Sequence, residues 1–147
     1  MNTTDAATLA RSLMIEHGVG DWAFEFDRAK KRAGCCKHRK HMLTLSSYYI
    51  QNNSDEDIKD TILHEIAHAI AGPKQGHNEV WKTICRKIGA RPIRCYGSHV
   101  DMPKGRWQAK CPTCKQEFHC HRKPKNHKNR YCRACGPVNG SMSFALA

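Results

Sequence analysis

The sequence predicts an α+β fold followed by a small metal-stapled module. Three observations carry that reading: strand patterns near residues 22–27 and 42–46, a capped helix after them with a His-Glu-x-x-His motif, and two Cys-x-x-Cys pairs in the last third of the chain. A chain of 147 residues has room for one ordinary domain and a smaller one.

The first element is a scaffold helix. Thr4 is the expected cap. Ala6, Leu9, Ala10, Leu13 and Met14 recur at helical spacing, and Gly18 is the stop, with His17 a favourable charge at the helix end. Trp22 to Asp27 then alternates aromatic with small or acidic residues, as a half-buried strand does. Met42 to Ser46 is the second strand, with Leu43 and Leu45 inward. Between them Arg28, Lys30, Lys31, Arg32, Lys37, Arg39 and Lys40 stand with no acid. This stretch reads as an exposed hairpin turning near Ala33-Gly34, or equally as a phosphate-contacting surface. Adjacent Cys35 and Cys36 do not easily share one metal and read as packing residues or a free thiol. His38 and His41 have no ligand-spaced partner. Tyr48-Tyr49-Ile50 leads into polar Gln51-Asn52-Asn53.

The next helix is signalled from Asp55 to Ala71. Ser54 is a good N-cap with Asp57 three residues on, and Asp55, Glu56 and Asp57 suit the positive end of the helix dipole. Ile58, Ile62, Ile66 and Ile70 form an apolar stripe, and Gly72-Pro73 is a stop. Residues four apart on a helix share a face. His64 and His68 can therefore bind one metal ion, and Glu65 beside them can reach a water on it. A short turn through Gly76 can return His77 as third ligand. Glu79 competes for that role, because two His and one Glu is also a catalytic zinc set. A metzincin would place its third His at position 74, which is Lys74. From Gly76 to about Ile88 a further helix is expected, with Val80, Trp81, Ile84, Cys85 and Ile88 as its apolar face and Gly89 as its stop.

The composition changes near residue 101, dividing the chain into residues 1–100 and 101–147. Residues 101–147 contain Cys111, Cys114, Cys132 and Cys135, with 17 residues between the pairs, a spacing suited to a four-thiolate structural zinc site. Metal binding supplies folding energy that so small a segment lacks. Cys120, one of nine cysteines, lies outside the pairs. The chain carries 25 Lys and Arg against 13 Asp and Glu, and residues 101–147 alone carry 10 against 2. Arg122, Lys123, Lys125, Lys128 and Arg130 lie on the arm between the cysteine pairs, flanked by Phe118 and Tyr131, and suit phosphate contact with base stacking. Nucleic acid, single- or double-stranded and bound through its phosphates with little sequence preference, is the expected partner. Cysteines in metal-type pairs, no secretory start at Met1 to Asp5 and no long apolar run argue for a cytoplasmic, DNA-associated protein without a membrane partner.

The chain resembles the SprT-like family, which includes the Spartan proteases. The resemblance runs from Trp22 to Gly136. It rests on the basic stretch ending in Leu43-Thr44-Leu45-Ser46, on His64-Glu65-Ile66-Ala67-His68-Ala69, on Gly76-His77 with Trp81 four residues later, and on the cysteine ribbon. It implies a gluzincin-like zinc metallopeptidase core with a C-terminal zinc ribbon. It also implies DNA in particular as the partner, and cleavage of DNA-bound or DNA-crosslinked proteins, as in DNA-protein crosslink repair, switched on by DNA. His64, His68 and His77 match the family's metal ligands and Glu65 its catalytic residue. The turn from His68 to His77 is shorter than in animal Spartan proteins. Two zinc ions are expected, one catalytic and one structural, with Glu65 as general base. The sequence names no second oxyanion donor, though Tyr96 and His99 are available. The alternative is a non-proteolytic nucleic-acid-binding regulator whose zinc sites are structural.

Overall fold

The computed structural model describes residues 1–94 and 101–147. The chain divides into two compact units, Met1–Met102 and Pro103–Ala147, so the break falls two residues beyond the change in composition. Among the described residues no helix is long and apolar enough to cross a membrane.

Helix α1 spans Thr3–Glu16 and buries Ala6, Ala10, Leu13 and Met14. Its cap is Asn2, whose Oδ1 accepts the Asp5 N–H at 2.8 Å; the expected cap, Thr4, already lies inside the helix. Asn caps at least as well as Thr, so the earlier residue takes the role.

The first sheet contains β1 (Ala23–Asp27), β2 (Gly34–Lys37) and β3 (Met42–Ser46), in the order β1-β3-β2. β3 runs parallel to β1 and antiparallel to β2. This corrects the hairpin reading of the basic stretch. Ala33 is buried, Gly34 opens a strand, and the turn is a 3-10 segment at His38–Lys40 closed by His41 at φ 45. A four-residue strand framed by basic residues shows too short an alternation to be recognised. Thr44 and Ser46 are buried along with Leu43 and Leu45, because β3 is paired on both edges and covered on both faces. The Thr44 hydroxyl donates to Asp27 Oδ2 at 2.8 Å, and Arg32 pairs with the same oxygen at 2.9 Å. That anchors the crossing from β1 to β2.

A short helix α2 (Ser47–Asn52) follows, where only a polar connection was expected. It buries Tyr49 and Ile50, and the Tyr49 hydroxyl lies 2.9 Å from that of Thr61. Helix α3 spans Asp55–Ala71, with Ser54 Oγ accepting the Asp57 N–H at 3.1 Å. Such a cap contributes about 1 kcal/mol. Ile58, Ile62 and Ile66 are buried, but Ile70 is 41% exposed, since burial of α3 ends at Ala67 and the last turn leaves the core.

Helix α4 is Glu79–Ile88. It starts later than Gly76 because that residue sits at φ +54, and Asn78 Oδ1 caps Val80 and Trp81 instead. Gly89 ends α4 in the left-handed region at φ +89, which costs an L side chain 1 kcal/mol or more, roughly. Beyond it Arg91 clamps α3: its backbone N–H donates to Asp60 Oδ1 at 2.8 Å, and its guanidinium meets Asp57 at 2.8 Å and Asp60 at 3.0 Å.

The second unit holds β4 (Trp107–Lys110), β5 (Glu117–Cys120), β6 (Arg130–Tyr131), a one-turn helix α5 (Gly136–Asn139), β7 (Ser141–Met142) and β8 (Ala145–Leu146). One sheet has the order β5-β4-β8 and the other pairs β6 with β7. Its buried apolar side chains are few: Ala109, Cys111, Pro124, Cys132 and Phe144.

Candidate metal centre

Helix α3 places His64 and His68 one turn apart on one face. The chain then leaves through Gly72 and turns back through Gly76, both at positive φ, so that His77 rejoins them just before α4. Nε2 of His77 lies 3.1 Å from Nε2 of His68 and 3.2 Å from Nε2 of His64. A tetrahedral ion 2.0–2.1 Å from three imidazole nitrogens would hold them about 3.3–3.4 Å apart. The three rings therefore already have close to the spacing such an ion needs. Glu79 points elsewhere. It is exposed and lies near Lys82 at 3.6 Å and Arg86 at 3.8 Å.

Trp81 explains why the rings converge. It is fully buried at the start of α4, and all three imidazoles pack on it, with centroid separations of 4.7 Å to His64, 5.2 Å to His68 and 4.7 Å to His77. Its Nε1–H points at the His64 carbonyl at 3.5 Å. By helical periodicity alone Trp81 reads as core on the apolar face of α4. Its place four residues after His77, on the inner face of the next helix, was the available signal.

Electrostatics favour a metal over protons. Burial, with the neighbouring imidazoles adding to it, holds His64 down at about 3 and His68 at about 4; burial and then Arg94 lower His77. Neutral imidazoles offer their lone pairs throughout the neutral range. Glu65, next to the triad, is 8% exposed. Burial pushes its carboxyl up to about 8, with the Arg32 guanidinium pulling the other way.

His64, Glu65, His68 and His77 open into a cleft of about 570 Å³. Its opposite wall comes from the basic stretch: Lys31, Arg32, Gly34, Cys35, Cys36 and His38. Cys35 and Cys36 thus line the cleft, and Cys36 Sγ lies 3.6 Å from His38 Nε2. His41 stacks on Trp22 with centroids 4.9 Å apart. Tyr96 and His99 lie outside the described residues.

The second candidate centre is in the ribbon. The sulfurs of Cys111, Cys114, Cys132 and Cys135 lie within 4.8 Å of one another, with Cys114 and Cys132 at 3.7 Å. Tetrahedral zinc–thiolate bonds of about 2.3 Å would set sulfurs about 3.8 Å apart. The backbone N–H of Cys114, and then that of Thr113, help pull the Cys111 thiol down to about 7, toward the thiolate that binds metal. Cys120 is not in this cluster. Arg122, Lys123, Lys125, Lys128 and Arg130 are all exposed, as is Tyr131, while Phe118 is half-buried. Lys123 Nζ lies 5.4 Å from the Trp107 ring centroid, and His127 meets the same indole edge-on.

Comparison with known proteins agrees with this geometry. The SprT-like family model matches residues 9–102. The chain is 27% identical to Protein SprT of Pseudomonas entomophila over 119 residues, covering 74% of this chain and 73% of the relative. It is 28% identical to Protein SprT of Pseudomonas fluorescens over 116 residues, 71% of each. In fold it is similar to the metallopeptidase zymogen jannalysin of Methanocaldococcus jannaschii, with a TM-score of 0.50 at 16% identity, covering 65% of this chain and 85% of that one. A mixed α+β core of metallopeptidase fold that positions His64, His68 and His77, matched across residues 9–102 by the family model, makes this chain a member of the SprT-like family.

Proposed function

We propose that the chain is a zinc-dependent endopeptidase that cleaves DNA-bound or DNA-crosslinked proteins and is stimulated by DNA. The observation that carries the peptidase reading is the convergence of three neutral imidazoles beside a buried glutamate, in a cleft open to solvent. His64, His68 and His77 would hold the ion through Nε2. Zinc in such a three-histidine site supplies a polarised substrate carbonyl and a water acidified to a pKa around 7.

The chain's own residues do the rest. Glu65 takes the proton of the attacking water on a carboxylate oxygen and returns it to the leaving amine nitrogen. For that its carboxyl must be ionised at neutral pH. The Arg32 charge acts in that direction, and so does any cation in the triad. β2 is an edge strand of its sheet, and the wall it forms lies along the cleft. An extended peptide can pair with its free backbone edge and pass over the triad. Trp81 holds the three rings in place, so little reorganisation is needed when the ion binds.

The DNA part of the proposal is supported by the exposed cations of the arm, with Tyr131 as a stacking surface. The four ribbon thiolates would hold a second zinc ion that fixes this arm. The deciding experiment is cleavage of a DNA-bound protein by the zinc-loaded chain, with and without DNA. Cleavage that rises with DNA is expected. Neutralising Lys123, Lys125, Lys128 and Arg130 together should lower the salt dependence of DNA binding. DNA binding with no proteolysis of any substrate would instead establish the non-proteolytic regulator.

A further inference from the structure

We infer that Gly34 is a positioning residue for Glu65: the missing side chain at the start of β2 is the space in which the Glu65 side chain rests. Strand β2 packs against α3, and alternation along the strand puts Gly34 and Cys36 on one face. Glu65 lies along that face. The Cys36 thiol is pushed up to about 12 by burial first and by the Glu65 charge second.

Space, not backbone freedom, makes glycine necessary here. Gly34 lies outside the left-handed region, so an alanine could adopt its backbone. A Cβ at this position would lie 3.0 Å from Glu65 Cγ, 3.1 Å from Glu65 Oε1 and 3.0 Å from the Thr44 carbonyl oxygen. Contacts that tight force a neighbour to move. Thr44 belongs to the central strand, hydrogen-bonded on both edges, and is the stiffer partner. Glu65 is the side chain that gives way, and its carboxylate shifts by a few tenths of an ångström beside the triad. An error of about 1 Å in a reacting group can cost about 10²-fold in rate, so this smaller shift costs less than that. Without the clash, glycine to alanine in a strand is neutral or stabilising, so the two accounts predict opposite signs.

A stability cycle on the zinc-loaded full chain tests this, using Gly34→Ala, Glu65→Ala and the double variant. It reads the clash whether or not the chain is a peptidase. Gly34→Ala should lower Tm by about 4–8 °C. In the Glu65→Ala background the same change should cost less than half as much, because the atoms it meets are gone. If Gly34→Ala fails to fold and the double variant folds, the result supports the assignment. Equal costs in both backgrounds, or failure of both to fold, would place the constraint at Thr44 and overturn the assignment; no cost in either would show that no clash exists and overturn it too. The catalytic consequence rests on Glu65 being the base. Gly34→Ala should lose kcat by less than about 10²-fold with KM and metal content near wild type, and should cost nothing further in a Glu65→Gln background. An additive loss there would remove Glu65 as the route. A wild type without activity would sink the peptidase reading and leave the stability cycle to decide the contact.

Discussion

Both units gather metal-binding side chains, but by opposite means. In Met1–Met102 the ligand histidines are added to a core that exists without them: Ile58, Ile62 and Ile66 of α3, Tyr49 of α2, Leu43 and Leu45 of β3, and Trp81 beneath the rings. In Pro103–Ala147 two of the four ligands, Cys111 and Cys132, are themselves two of the five buried apolar side chains. A triad leaves an ion an open position, whereas four thiolates close the tetrahedron. The first arrangement would leave an ion free to do chemistry, and the second would use one to hold the fold together.

The strongest way to break that contrast is to remove metal. Structural zinc in finger-like peptides binds with about 10–16 kcal/mol, more than the ribbon's small core can replace. A chelator should unfold Pro103–Ala147 and leave Met1–Met102 folded, read by amide exchange in each unit. Elemental analysis should give two zinc ions per wild-type chain and one in Cys111→Ser. A ribbon that keeps its amide protection without metal would erase the difference.

Next in size is the chemistry of the open site. Glu65→Gln keeps shape but cannot accept a proton, so cleavage should fall about 10²–10⁴-fold while zinc content holds. Full activity in that variant would remove Glu65 as the base. His77→Ala should release the metal of the triad, and Glu79→Ala should retain it, because Glu79 faces solvent beside Lys82 and Arg86. Metal retention in the first or loss in the second would reverse the ligand assignment.

The smallest effect is on pH dependence and belongs to the first unit alone. His64 and His68 sit at about 3 and 4 in the fold against 6.5 unfolded, so the unfolded chain binds more protons there and their contribution is lost as pH falls below about 6.5. Glu65 sits at about 8 against 4.5, so its contribution is lost as pH rises toward 8. These two histidines, with His77 acting in the same direction, outweigh one carboxyl below 6.5, and well above it the carboxyl acts alone. Metal-free protein should therefore show its highest Tm near pH 6.5, and Glu65→Gln should flatten the alkaline side. A wild-type Tm still climbing from pH 6.5 to 8 would contradict this.

Local rules alone determined much of this protein. The bounds of α3, its Ser54 cap, its stop at Gly72, the strand at Met42–Ser46 and the His64–His68 spacing follow from periodicity and capping, which act over a few residues. The four-cysteine set was legible for the same reason. Contacts between distant segments were not. Only tertiary packing paired β1 with β3 in parallel and turned the basic stretch into an edge strand along the cleft. It also folded α2 onto Thr61 and exposed Ile70, because burial there depends on which surface covers which. Trp81 under three imidazoles and Gly34 against Glu65 were decided the same way: each is a contact across an interface between elements, where shape and available volume choose the residue and leave no pattern along the chain.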